Sequence, residues 1–258
     1  MRVTRVLGAV ATAALSAALL VGCGEKEEAA RGNSSSDDVA AAALTKENFG
    51  STIGDAMIAS GSAHLSMSGT IMGQELAAEG DHKIGKTLAD HQLGLTMQVL
   101  GMDVEMRLFD EVVYVNLGPL TQSMFATIDL NDSSNPLVEQ FGGMVDQADI
   151  AAQLENVKSA ISGFEKAGEP ETIDAVIAQP YTVTLDPTKL AEGQERIPKS
   201  LKSTFYVGPD NLPRRLLIEV QGQTLTLDLS KWGESVSIEK PADDEITEFD
   251  VGRVATAA

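Results

Sequence analysis

The sequence predicts an α+β domain, in which helices cover the concave face of a strongly curved antiparallel sheet, a half-barrel of about ten to eleven strands. Apolar and polar residues alternate with a period of two along most of the chain, and short turns separate the alternating segments. Three stretches instead place apolar residues at helical spacing. A sheet with so many strands must curl, and the helices need an apolar surface on which to bury their own apolar faces.

Composition narrows the possible functions. The 258 residues include 19 Lys and Arg against 38 Asp and Glu, giving a formal net charge of −19. Nucleic-acid binding requires clustered basic residues, and no basic patch is visible, so we predict no nucleic-acid partner. The single cysteine excludes an intrachain disulfide framework and any site that needs two thiolates.

The N-terminus has the features of a lipoprotein signal peptide over residues 1–22. Arg2 and Arg5 precede a small, apolar run, and the run ends at Leu20-Val21-Gly22-Cys23. This tetrapeptide is similar to the bacterial lipobox, which predicts cleavage between Gly22 and Cys23 and acylation of the Cys23 thiol by groups such as palmitate. We therefore expect an extracytoplasmic protein that is anchored to the cell membrane by lipidated Cys23. The alternative is an ordinary secretory signal with an incidental cysteine.

The mature chain is predicted to begin with a tether. Residues 23–38 comprise the lipidated cysteine and a polar, Ser-rich and acidic stretch without an apolar period, which cannot bury enough surface to fold. No second linker of this composition follows, so residues 39–258 are predicted to form a single domain.

The first half of that domain is predicted to be one helix followed by a meander. Thr45 is a plausible N-cap for a helix that ends at Ser60 and carries Phe49, Ile53 and Met57 on one side. Alternating segments predict antiparallel strands over 65–71, 76–83, 93–99, 104–108 and 112–117.

The second half repeats this order. Helical spacing returns after Pro136, with Leu137 and Phe141, and again over 149–161, where Ile150, Leu154, Val157 and Ile161 recur. Strands are then predicted over 162–173, 176–185, 201–207, 212–220, 224–229 and 235–238.

The sequence contains no catalytic signature. Phosphate-binding glycine loops and the GxSxG elbow are absent, and His64, His82 and His91 fall at predicted polar-face or turn positions without metal-ligand spacing. We therefore predict no catalytic residues, no metal and no cofactor. An enzyme is the third hypothesis, which a spatial cluster of the three histidines would revive.

Methionines are frequent on the predicted apolar faces. Flexible thioethers suit a pocket for ligands without a fixed shape, although they also fill irregular cores. The methionines of the mature chain are Met57, Met67, Met72, Met97, Met102, Met106, Met124 and Met144.

Several motifs together resemble the actinobacterial LppX/LprG-type lipoproteins. The similarity extends over about 44–249 and includes LTKENF, GSAHLSMSG, VVYVNLG, ETIDAV with YTVTLD, TFYVGPDNLPRRLLIEV and LSKWGESVSIEKP. The resemblance implies a LolA/LolB-like half-barrel closed by helices over a hydrophobic cavity. It also implies a role in carrying lipids or lipoglycans across the cell envelope.

The leading hypothesis is therefore a non-enzymatic lipoprotein that binds the acyl chains of a lipid or lipoglycan, with an envelope permease or transport protein as a further partner. The alternative is a structural or interaction lipoprotein, in which the core is filled and the surface docks an envelope protein. The candidate cavity residues are those on predicted inward faces: Phe49, Ile53, Met57, Leu93, Leu95, Met97, Val104, Met106, Leu108, Leu154 and Val157.

Overall fold

The alternating segments form one continuous sheet in the computed structural model of the chain. The structure describes residues 43–71, 73–99, 101–132, 159–186, 201–220 and 222–247. Within these ranges the sheet has 13 strands, in the order β13-β6-β5-β4-β3-β2-β1-β12-β11-β10-β9-β7, with β8 paired to β9. Neighbouring strands are antiparallel, except that β13 runs parallel to β6.

The strands form two meanders that meet where β1 pairs with β12. The strands of the first meander are β1 (Ser62–Ile71), β2 (Gln74–Lys83), β3 (Gln92–Val99), β4 (Met102–Phe109), β5 (Val112–Asn116) and β6 (Phe125–Asp129). The remaining strands are β7 (Ile161–Lys166), β8 (Glu171–Ile173), β9 (Val176–Leu185), β10 (Leu201–Val207), β11 (Pro213–Val220), β12 (Gln223–Ser230) and β13 (Ile246–Thr247).

The antiparallel sheet is confirmed, but its strand list differs from the prediction in four places. The strands β6 and β13 were not predicted, and the predicted strand over 162–173 is divided into β7 and β8 by a turn that contains Gly168 and Pro170. Residues 235–238 alternate in polarity, yet they form no strand, because this segment crosses the sheet instead of pairing with an edge. Ile161 was assigned to a helix but begins β7. The predicted helix at 137–141 and residues 149–158 of the predicted helix at 149–161 lie outside the described residues, while residues 159–160 are helical.

Within the described residues, the helix α1 (Phe49–Ser60) precedes β1 and begins four residues later than predicted. The amide N–H of Thr45 donates to the Asn48 side chain at 2.7 Å, and the Asn48 N–H donates to the Thr45 hydroxyl at 3.4 Å. These reciprocal bonds form a capping box around Thr45 and hold residues 45–48 in a turn, and α1 itself begins after Asn48, which occupies its N-cap position. The helix ends at Gly61, whose φ of +80° is the left-handed conformation typical of a C-terminal cap.

The pairing registers place the apolar residues of successive strands on one side of the sheet, which we call the inner face. For example, Leu65 of β1 lies opposite Leu229 of β12, Leu95 of β3 lies opposite Met106 of β4, and all four side chains are buried. The inner faces of β1 to β6 and of β11 and β12 contribute to one apolar cluster. This cluster is the larger part of the core of the described chain.

A C-terminal segment, residues 231–247, crosses the opposite, outer face of the first meander. The Gly233 N–H donates to the carbonyl of Ser62 at 3.0 Å, and the Arg107 guanidinium donates to the carbonyl of Glu239 at 3.0 Å. Ile238 lies over Gly94 of β3, and the segment ends as β13 beside β6. The segment therefore covers outer-face residues that would otherwise be solvated.

A glycine-to-alanine pair tests the packing of β2 against β3. A Cβ atom on Gly80 would overlap the backbone carbonyl of Gly94, whereas a Cβ on Gly50 in α1 would meet nothing within 4 Å. We expect Gly80→Ala to lower the free energy of unfolding by about 3 kcal/mol or more, because the backbones of two strands must separate. We expect Gly50→Ala to raise it by about 0.5–1 kcal/mol. Urea unfolding followed by circular dichroism measures both, and equal midpoints for the two variants would contradict this packing.

Candidate functional site

The first turn of α1 packs on the second meander through an aromatic cluster. The Phe49 ring lies 5.3 Å from Phe164 of β7 and 5.0 Å from Phe205 of β10, measured between ring centroids, and 6.4 Å from Tyr181 of β9. Such edge-on and tilted ring pairs stabilise beyond their buried area by about 0.5–1.5 kcal/mol each. The N-terminal half of the helix is therefore held firmly against β7, β9 and β10.

The last turn of α1 lies over the first meander, and a cavity separates them. It is lined by apolar side chains and one imidazole: Met57, Ala63, Leu65, Met67, Ala78, His82, Ile84, Leu95, Leu227 and Leu229. The volume open to a water-sized sphere is about 20 Å³. That volume holds about one water molecule, whereas binding pockets for small ligands have volumes of about 300–1,000 Å³.

The structure describes nine of the eleven predicted cavity residues. Nine of them are at most 6% exposed. Among these nine, Met57 and Leu95 line the cavity itself, and the others belong to the apolar clusters on either side. Leu154, Val157, Gly22 and Cys23 lie outside the described residues. Ligand binding by the eleven cavity residues stays a prediction, as do cleavage between Gly22 and Cys23 and lipidation of Cys23.

Two histidines that the sequence analysis placed on polar or turn positions are buried at the inner face. His82 is 2% exposed and His91 is 4% exposed. His82 Nε2 lies 3.0 Å from His91 Nδ1, and the two rings stack at 5.2 Å between centroids. The sequence carried a signal that was missed, because His82 continues the inward alternation of Leu76 and Ala78 along β2.

Burial lowers the pKa of both histidines and so disfavours their charged forms. Burial, and secondarily repulsion by His91, lowers the pKa of His82 from 6.5 to about 3. Burial also lowers the pKa of His91, although the Asp90 carboxylate and a backbone hydrogen bond at Gly85 oppose that shift. At neutral pH the imidazole of His82 is therefore uncharged, and it lines the cavity as a neutral polar group.

The third histidine is separate from this pair. His64 lies on the outer face, where its Nδ1 is 2.9 Å from Asp81 and its Nε2 is 3.1 Å from Glu79. The three histidines therefore do not form the cluster that would have revived the enzyme hypothesis. Among the residues that the structure describes, no group of three or more His, Cys, Asp or Glu side chains is arranged to hold a metal ion.

The only tryptophan of the chain, Trp232, lies where the two apolar clusters of the core meet. Trp232 packs against both apolar clusters, and its indole N–H donates to the carbonyl of Pro213 at 3.0 Å. Because no other tryptophan contributes, its fluorescence monitors the junction between the two meanders.

Comparison with known proteins finds likenesses among solved structures. The lipoprotein LppX of Mycobacterium tuberculosis superposes with a TM-score of 0.50 at 17% sequence identity, over 73% of this chain and 94% of that one. LprF from Mycobacterium bovis gives a TM-score of 0.48 at 14% identity, over 74% and 95% of the two chains. A conserved protein of Thermus thermophilus gives 0.43 at 8% identity, over 77% and 95%. No protein-family model and no curated protein matches the sequence.

The chain thus has a fold like that of LppX, and the predicted resemblance to LppX/LprG-type lipoproteins is confirmed at the level of the fold. In the described part of the chain, no helix has the length and apolar character needed to cross a membrane.

The buried histidine pair predicts a specific acid sensitivity. Because the pKa of His82 is lower in the folded than in the unfolded chain, the unfolded chain binds more protons between about pH 3 and 6.5. We expect the free energy of unfolding to fall by roughly 1 kcal/mol for each pH unit below about 6 through this group. Replacing both rings, as His82→Leu with His91→Leu, is expected to remove that part of the slope, whereas His64→Gln is expected to keep it. Urea titrations from pH 4 to 7 measure the slopes, and an unchanged slope in the double variant would contradict the assignment.

Proposed function

We propose that this protein is a non-enzymatic, extracytoplasmic lipoprotein that is held on the cell membrane by acylated Cys23. We further propose that it binds the acyl chains of a lipid or lipoglycan between α1 and the inner face of the sheet. The continuous apolar inner face carries the proposal, because it runs from β6 through β1 to β11 and has the cavity beneath the end of α1. Apolar chains laid on such a face would be stabilised by about 25 cal/mol for each Å² removed from water.

The contacts of α1 support a half-barrel with the helix on its concave side. Phe49 contacts Phe164 of β7, while Met57 shares the cavity with Leu95 of β3. Seven strand spacings separate β7 from β3 along the sheet, which amounts to about 34 Å in a flat sheet. A helix of 12 residues is only about 18 Å long. Curvature of the sheet toward α1 brings both groups of strands within reach of one short helix.

Ligand entry requires the last turn of α1 to separate from the first meander, since the cavity holds only about one water molecule. The two ends of the helix differ in how they are held. Phe49 is fixed by three aromatic rings, whereas Met57 faces aliphatic side chains across the gap. The last turn is also joined to β1 through Gly61, whose carbonyl accepts the Ile84 N–H at 2.9 Å, so the separation that we propose is a widening of the gap around the Met57 side chain. The Met57 and Met67 thioethers adapt to chains of differing shape.

A second candidate is supported by the small volume of the cavity. A core that is nearly filled suits an interaction lipoprotein, which would dock an envelope protein and carry no lipid. We place it second because a protein that only docks a partner does not need an internal cavity lined by Met57 and Met67. In the leading proposal, an envelope permease or transport protein supplies or receives the cargo.

Native mass spectrometry of the protein from an actinobacterial host, with extraction of bound lipid, tests the function. Two neighbouring alanines of β2 provide matched variants, because Ala78 is buried and lines the cavity whereas Ala77 points outward and is exposed. We expect lipid at near-stoichiometric mass in the wild type and in Ala77→Phe, and at least a tenfold loss in Ala78→Phe, since the added ring fills the gap. A thermal melt checks that both variants fold. A wild type with no bound lipid and no uptake of added phospholipid would favour the second candidate.

The anchor is tested by Cys23→Ala. Without the thiol no acyl group can be attached, so we expect the variant to lose the labelling by radioactive palmitate that the wild type shows. Palmitate labelling that persists in the variant would contradict acylation of Cys23.

A further inference from the structure

A buried arginine beside the turn between β10 and β11 is only partly hydrogen-bonded. Arg214 is 7% exposed, and its guanidinium keeps a full positive charge because it cannot be deprotonated in a protein. Its Nη2 donates to Oδ2 of Asp210, whereas Nη1 is the buried side-chain nitrogen that has no hydrogen-bond partner among the described residues. An unbonded donor on a buried cation is costly, so a further acceptor at Nη1 would stabilise the folded chain.

An irregularity in the strand pairing accounts for the position of this arginine. Tyr206 of β10 pairs with Arg215 of β11, and Val207 pairs with Pro213. Arg214 is therefore an extra residue of β11 that lies opposite no residue of β10. Such bulges redirect a side chain and are over-represented beside functional sites.

The Asp210 carboxylate bonds two of the three donors at this turn. Its Oδ2 accepts from Nη2 of Arg214, and its Oδ1 accepts the Leu212 N–H at 3.2 Å. The third donor, Nη1 of Arg214, receives no bond from either oxygen. Gly208 leaves room beside these groups, because a Cβ atom there would lie 2.6 Å from Oδ1 of Asp210 and 3.6 Å from Nη2 of Arg214.

Exposure indicates which member of the ion pair can be exchanged. The side chain of Asp210 is 44% exposed, whereas that of Arg214 is 8% exposed. The carboxylate can turn into water while two backbone bonds of 3.0 Å keep the turn, one from the Gly208 N–H to the Leu212 carbonyl and one from the Asn211 N–H to the Gly208 carbonyl. A neutral group in its place would leave a buried cation without a counter-charge, so the replacement has to be an anion.

A phosphate group matches these donors better than a carboxylate does. Inorganic phosphate and phosphate monoesters have three terminal oxygens that accept strong hydrogen bonds, one for each of the three donors, and a guanidinium binds phosphate through two parallel bonds. We propose that Arg214, together with the Leu212 N–H, binds the phosphate group of a ligand, which displaces the Asp210 carboxylate.

This phosphate site goes beyond the proposed function, because Arg214 is not among the residues that line the cavity under α1. Two sources supply such a group, namely free phosphate and the headgroup of a lipid. Leu212 belongs to the same apolar cluster as Met57 of the cavity, which brings the lipid source into consideration.

Calorimetric titration with inorganic phosphate, dioctanoyl phosphatidate and dioctanoylglycerol tests the site. The protein is the full chain carrying Cys23→Ala, which removes the covalent acyl group, and the two lipids differ only by the phosphate. We expect inorganic phosphate to bind with a dissociation constant of about 1 mM or tighter, and phosphatidate to bind at least about tenfold more tightly than dioctanoylglycerol. Phosphatidate that also binds about tenfold more tightly than inorganic phosphate assigns the site to a lipid headgroup, and similar affinities assign it to free phosphate.

Three variants assign the binding to Arg214. We expect Arg214→Gln to weaken phosphate binding at least about tenfold, and Arg215→Gln, the matched control whose guanidinium bonds to Asp228, to bind like the wild type. We expect Asp210→Asn to bind phosphate about three- to tenfold more tightly, because a neutral amide competes less for the guanidinium and does not repel the anion. A thermal melt without phosphate checks that each variant folds.

The exposed Asp210 side chain keeps the test decisive if Arg214→Gln does not fold, since a general loss of structure cannot raise an affinity. A wild type that binds neither phosphate probe overturns the inference, as does phosphatidate that binds no better than dioctanoylglycerol. Equal losses in Arg214→Gln and Arg215→Gln, or weaker binding by Asp210→Asn, also overturn it. Binding of dioctanoylglycerol is measured separately, so failure of the phosphate site leaves the proposed binding of acyl chains standing.

Discussion

An open sheet that is apolar on one face needs a cover, and this constraint organises the whole molecule. The strands from β1 to β6 and from β9 to β12 place aliphatic side chains on the same face, which water would otherwise contact. The helix α1 covers part of it through Phe49, Ile53 and Met57. In the described part of the chain α1 is short compared with the sheet, and the cavity lies between the helix and the inner face.

The same surface stabilises the fold and supplies the proposed binding site. Burial of the inner face against α1 favours the closed state, whereas a bound acyl chain would take over that burial when α1 separates. Exchange of one apolar partner for another costs little hydrophobic free energy, which makes such a face suited to ligands without a fixed shape. His82 and His91 are among the polar residues buried at this face, and they form a hydrogen bond with each other.

The outer face differs from the inner face because it carries charged side chains, which form partly exposed pairs. Arg215 bonds to Asp228 across β11 and β12, and this hydrogen bond raises the pKa of Arg215. Near the other end of the sheet, Arg107 stacks 4.8 Å above the Phe125 ring and holds the C-terminal segment through Glu239. Such partly exposed pairs contribute little to stability, yet they fix where the covering segment crosses the strands.

The sequence by itself determined most of the strands and which side of each one is apolar. Period-two alternation located β1 to β5 and β9 to β12 within three residues at either end, and the lipobox predicted the anchor at Cys23. Alternation could not find β13, which has two residues, and it could not show that residues 235–238 cross the sheet. Tertiary structure alone decided that β1 pairs with β12, that His82 meets His91, and that the cavity under Met57 is small. The physical reason is that local periodicity fixes which side of a strand is apolar, whereas the partner and the closeness of packing depend on residues far apart in the chain.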